Sequence, residues 1–218
     1  MDDYRDQLLK HLAQLEGHRE DVYKDSKGVP TAGYGFNLKD KEVQRAIASQ
    51  GLDPELVQRG EQSLDEDTSK NIKDIIIRNK EKLLKSVVDK DIFDNMKPNE
   101  KAALMSTAYN SITPFTPVNA QRLAQGDKVG FVKDLLSYAD QPGVLYRRLK
   151  DAQLFADPVE FSGAFKIMSP EERKKYLDML NKVQNPNTKK QYLEEFGSYL
   201  QEPKQEYIPL QNLLNIKK

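Results

Sequence analysis

Apolar residues recur along this chain at spacings of three and four over most of its length, which predicts helices. Tyr4, Leu8, Leu12 and Leu15 form one stripe, with Asp2 or Asp3 available to cap the first turn and Gly17 placed to end it. From Val22 to Asn37 the pattern breaks. Gly28, Pro30, Gly33 and Gly35 are interspersed with Val22, Tyr23, Val29, Thr31, Tyr34 and Phe36, and Asp25-Ser26-Lys27-Gly28 between two β-prone runs predicts a hairpin. Helical spacing resumes at Leu64-Asp65-Glu66-Asp67. Ile72, Ile75, Ile76, Leu83 and Val87 follow on a helix long enough to act as a strut between two lobes. Pro98 is placed as the first residue of a helix carrying Ala102, Met105, Ala108 and Tyr109. Pro114 and Pro117 end that helix and begin another, closed by Gly126, and two more run around Phe131 to Ala139 and Val144 to Phe155.

Beyond Asp157-Pro158 a further helical unit is predicted. Ser169-Pro170-Glu171-Glu172 is a capping box with proline at the first helical position, and Tyr176, Met179, Leu180 and Val183 make the stripe behind it. Asn185-Pro186-Asn187 is a turn, and Tyr192, Leu193, Phe196 and Leu200 mark a second stripe. Two amphipathic helices of this length bury too little on each other to stand alone, so they pack on the preceding domain, a second copy of the chain or another partner. The tail from Pro203 to Lys218 fits no element.

Composition narrows the classes of function. With 218 residues, 38% hydrophobic and 31% charged, the chain has the balance of a globular protein with a sizeable core. No run of 18 apolar residues is present, so membrane insertion is not expected. Met1-Asp2-Asp3-Tyr4 offers neither a basic n-region nor an apolar h-region, so no secretory signal is expected. Lysine plus arginine equals aspartate plus glutamate at 34 each, which gives no electrostatic case for nucleic acid. Cysteine is absent, and the two histidines, His11 and His18, are read as surface residues, so no metal and no cofactor is implied.

Chemistry concentrates between Glu16 and Gly35. Glu16 falls at the C-terminal end of the first helix, where unpaired carbonyls disfavour a carboxylate and favour the protonated form that a general acid needs. Asp25 falls on the hairpin turn, where solvent keeps it ionised as a base, and Thr31 on the partner strand is placed to help it hold a water. Gly33 and Gly35 leave the strand bare where a polymer could press against the backbone. Two carboxylates in contrasting environments suit glycoside hydrolysis. With 34 acidic residues such pairs are frequent, and the physics alone leaves open a helix end followed by an ordinary solvated hairpin.

The motif itself is specific. Glu-x8-Asp-x5-Thr, opened by Glu16-Gly17, centred on Tyr23-Lys24-Asp25 and closed by Thr31-x-Gly33-x-Gly35, resembles the phage-type lysozyme family, the muramidases of T-even phages and their relatives. Ala102 to Asn110 resembles that family's central buried helix, and Pro142 to Phe155 its closing helix, so the resemblance covers about residues 1 to 156. It implies that Glu16 protonates the glycosidic oxygen, that Asp25 with Thr31 positions the attacking water, and that the anomeric carbon inverts. Arg147 falls where the family places a basic residue near the catalytic glutamate, with Arg148 competing for the role. Asn37, Tyr109 and Asn110 match cleft-lining positions, against core packing or a helix-end cap as the plainer alternatives. Two positions depart from the pattern. Phe36 stands where many members carry histidine, and Ile112 stands where a glycine commonly follows the asparagine. No third glycine completes a dinucleotide fingerprint after Gly33-Tyr34-Gly35, and no Walker loop, HExxH or GxSxG occurs.

The expected architecture is α+β: a lysozyme-like two-lobed domain over residues 1–156, mostly helical with a small N-terminal hairpin, and a C-terminal helical extension over residues 157–218. The expected substrate is bacterial peptidoglycan, at the β-1,4 bond between N-acetylmuramic acid and N-acetylglucosamine. The protein would act on the wall after release from the host cytoplasm or as part of a virion, with the extension offering a surface for a virion or a second copy. Three rivals stay open: a lytic transglycosylase, a wall-binding module without activity, and a virion structural component whose lysozyme activity is secondary or lost.

Overall fold

A computed structural model describes residues 3–25 and 28–201. The first helix, α1 (Asp3–Leu15), buries Tyr4, Leu8 and Leu12 as their spacing predicts. Gly17 does not take the left-handed conformation of a helix-ending glycine; the helix is over at Leu15. Next comes a three-stranded antiparallel sheet rather than a lone hairpin: β1 (Arg19–Lys24), β2 (Pro30–Gly33) and the short β3 (Phe36–Asn37), in that order. Tyr23 lies opposite Thr31, Thr31 opposite Asn37 and Ala32 opposite Phe36. At the turn the Asp25 amide donates to the Val29 carbonyl at 3.0 Å, and Gly28 takes the left-handed conformation such a turn needs.

Two short helices, α2 (Lys41–Ser49) and α3 (Pro54–Arg59), complete the small lobe, each started by an aspartate cap, Asp40 and Asp53. Its core joins Ala32, Phe36, Leu38, Val43, Ile47, Val57, Leu64, Ile72 and Ile76. The 22-residue α4 (Glu66–Val87) is the expected strut. Ile72 and Ile76 belong to the small lobe's core, whereas Ile77 and Leu84 belong to the larger one.

The larger lobe contains α5 (Lys90–Asn95), α6 (Pro98–Asn110), α7 (Pro117–Ala124), α8 (Lys128–Ser137) and α9 (Pro142–Phe155). At its centre α6 is buried from Ala102 to Ala108 and packs on α1, α4 and α9. So α1 precedes the small lobe in sequence yet packs into the larger lobe's core, which leaves Glu16 at the crossing point between the two. The chain continues through α10 (Pro158–Lys166), α11 (Pro170–Asn181) and α12 (Pro186–Leu200). Their Phe161, Phe165, Tyr176, Leu180 and Phe196 join the same core as Phe131, Leu145 and Phe155. The Tyr146 and Tyr192 rings stack at 3.8 Å between centroids, so the extension packs on α9. The Ser169–Glu172 capping box forms in both directions. Asp2, Ser26, Lys27 and the tail from Pro203 lie outside the described residues.

One expectation fails for a clear reason. His11 is buried, 2.9 Å from Asp151 Oδ1, because it sits beside Leu8 and Leu12 on the inward stripe of α1. His18 is half-buried, 3.1 Å from Ser69 Oγ and 4.9 Å from the Tyr34 ring.

Candidate active site

Glu16 follows the last residue of α1, and its amide still donates to the Leu12 carbonyl at 3.0 Å. Its side chain is only 10% exposed and is held by two cations from two other helices. Arg147 Nη1 on α9 meets Oε1 at 2.9 Å, and Lys73 Nζ on α4 meets Oε2 at 3.2 Å. Helix α4 delivers Lys73 on its inward face, among Ser69, Ile72, Ile76 and Ile77. The ammonium lies 4.5 Å from the centroid of Tyr34 and 5.8 Å from that of Tyr109. Burial depresses the Lys73 ammonium below its ordinary value, with Glu16 opposing the shift. Burial likewise pushes the Tyr109 phenol well above its ordinary range, and Glu16 adds to the effect.

A cleft of about 480 Å³ opens over this cluster, and Glu16, Asn37, Tyr109, Asn110 and Arg147 line it. Five of the seven residues singled out from the sequence therefore share one cavity. Gly35 also lines it, with φ 81° and nothing within 4 Å of where a Cβ would sit. Gly33 is different. It is buried beneath the sheet at φ 61°, and a Cβ there would come within 2.7 Å of the Phe36 ring and 2.9 Å of Ser69 Oγ. Its glycine serves the small lobe's packing, not an open wall.

Asp25 and Thr31 form a second group, tied to each other through one residue. The Val29 amide donates to Asp25 Oδ1 at 2.8 Å, and the Val29 carbonyl accepts from Thr31 Oγ1 at 3.0 Å. Thr31 is 4% exposed, and its cross-strand neighbour is Tyr23, with Asp25 two residues further along the same strand face. Tyr23 lines the cleft; among the described residues Asp25 and Thr31 do not.

The competition between the two arginines of α9 is decided by helix rotation. Arg148 falls on the inward stripe with Leu145, Leu149 and Ala152 and turns to Asp151 and Asn110, whereas Arg147 faces Glu16. Arg147 Nε and Nη2 and Arg148 Nε are buried without a hydrogen-bond partner among the described residues. Phe36, where the family's histidine would stand, packs in the small lobe's core, and Ile112 packs against the larger one. Lys73 was not anticipated. Its signal is a lysine in register with Ile72 and Ile76 on a buried helix face.

The family model described as Phage lysozyme matches residues 13–150, a span that contains Glu16, Asp25, Thr31, Lys73 and Arg147 and ends before α10. Among solved structures, "Endolysin from Escherichia coli O157:H7 phage FAHEc1" is similar at 22% identity and a TM-score of 0.49, over 69% of this chain and 91% of that one. No curated protein sequence matches.

Proposed function

Because the chain belongs to the phage lysozyme family and is a peptidoglycan hydrolase, we propose that it cleaves the β-1,4 bond between N-acetylmuramic acid and N-acetylglucosamine with inversion. The observation that carries this reading is the near-buried Glu16 carboxyl on the cleft wall with a cation on each oxygen. Glu16 donates its proton to the glycosidic oxygen. Arg147 and Lys73 stabilise the carboxylate that donation leaves behind, so part of the electrostatic work is done before the substrate arrives. Asp25, steadied by the Val29 amide, takes a proton from the attacking water, and Thr31 positions that water from the neighbouring strand. Asn37, Tyr109 and Asn110 offer amide and phenol groups to the saccharide, with the Tyr109 phenol kept neutral by burial.

Residues 1–156 carry the chemistry in this reading, and residues 157–218 form an extension that supplies no reacting group. Among the described residues none beyond Arg147 lines the cleft. No described helix is long and apolar enough to cross a membrane. In this reading the protein reaches the wall after release from the host cytoplasm or as part of a virion.

An inverting pair leaves room for a water, with its carboxyl groups roughly 6.5–9.5 Å apart. Freshly released reducing ends, followed by NMR during hydrolysis of purified wall glycan, are expected in the α configuration first. β ends would show retention, and 1,6-anhydro ends would show a transglycosylase; either result would replace this mechanism.

A further inference from the structure

Lys73 is an unusual residue to find where it is. Its side chain is 6% exposed on the inward face of α4, and a lysine there costs solvation that an apolar side chain would not. Replacing a buried ion-pair member's charge is not required for packing, because well-packed apolar side chains often serve as well. The consequence of the charge falls on Glu16 instead. Arg147 lines the cleft and holds Oε1, whereas Lys73 is not among the cleft-lining residues and holds Oε2. We infer that Lys73 is a positioning residue for the proton donor: it fixes the Glu16 carboxyl from behind the cleft by holding its second oxygen. This rests on the reading of Glu16 as the donor.

The charged and titratable groups around the pair come from every packed element. They are Glu16 after α1, Tyr34 between β2 and β3, Asp74 beside Lys73 on α4, Tyr109 on α6 and Arg147 on α9. His18 reaches the preceding turn of α4 through Ser69. Of these, Lys73 and Arg147 are the cations in contact with the carboxyl oxygens. The two tyrosine rings narrow the space around the ammonium, so its position is fixed by packing as well as by charge.

A donor fixed at one oxygen alone is free to turn away from the glycosidic oxygen, and misplacing a reacting group costs rate at the chemical step rather than binding. In Lys73→Met, kcat on solubilised glycan is expected to fall roughly 10-fold or more while KM stays near the wild-type value. Lys73→Arg is expected to recover most of the wild-type kcat. Lys73→Gln is a second neutral variant should the Met protein fail to fold. If the folded neutral variants keep wild-type kcat, or if Lys73→Arg loses as much kcat as they do, Lys73 is not a positioning residue and the proposal fails. If a folded Glu16→Gln protein turns over glycan like wild type, the donor assignment itself fails, whatever Lys73 does.

Discussion

Two carboxylates, Glu16 and Asp151, each meet one of two adjacent arginines on α9, and the contrast between them separates chemistry from architecture. Asp151 is fully buried and completely served. His11 Nε2 and Ser106 Oγ meet Oδ1 at 2.9 and 2.6 Å, and Thr107 Oγ1 and Arg148 Nη1 meet Oδ2 at 3.0 and 3.3 Å. Burial alone would raise its carboxyl; the His11 hydrogen bond and the Arg147 and Arg148 charges outweigh that and hold it below its ordinary value. Glu16 opens on a cleft, has a lysine and an arginine as side-chain partners among the described residues, and leaves Arg147 with two unserved donor groups, against one on Arg148. A carboxylate with both oxygens fully served fixes a structure, whereas one beside donors in reserve can bind and react.

The largest expected effect on stability comes from breaking the closed network. Asp151→Asn leaves Arg148 buried without its charge partner and disturbs the link between α1, α6 and α9. It is expected to cost about 3–5 kcal/mol, read by urea unfolding. Turnover per folded molecule should change by much less, because no Asp151 contact reaches the cleft except through Arg148 and Asn110. A smaller effect sharpens the same point by pH. Since the Asp151 carboxyl is held below its ordinary 3.8, its contribution is present above that value and is lost as pH falls through the lower folded one. The stability gap between wild type and Asp151→Asn is therefore expected to narrow as pH falls below about 3.8. A gap that stayed constant throughout the acid range would contradict the closed-network account.

What the sequence made legible divides along the same line. Local signals were readable: the strut from Glu66 to Val87, the Ser169–Glu172 capping box and the proline starts of α6, α7 and α11; Asn185-Pro186-Asn187, read as a turn, instead caps and opens α12. Of the five cleft residues, Glu16 was readable from its helix-end position and the spaced motif, whereas Asn37, Tyr109, Asn110 and Arg147 were reached only through the family resemblance. Pairings across long stretches of chain were not readable. His11 and Asp151 are 140 residues apart, and Lys73 and Glu16 are 57 apart. Periodicity shows only that such a residue falls on a buried face, not which partner meets it there. The α2 and α3 helices were missed although signals were present: both carry an aspartate cap, and Val43, Ala46 and Ile47 form a helical stripe in α2, but each segment is short.

The most direct test sets the two carboxylates side by side. Glu16→Gln and Asp151→Asn are purified with wild type, and each is measured for thermal midpoint and for clearance of purified peptidoglycan well below its midpoint. The account predicts opposite losses. Glu16→Gln keeps a cooperative fold and loses on the order of 10²–10⁴-fold in turnover, while Asp151→Asn melts earlier and clears wall at close to the wild-type rate per folded molecule. A folded Glu16→Gln protein with wild-type turnover would contradict it.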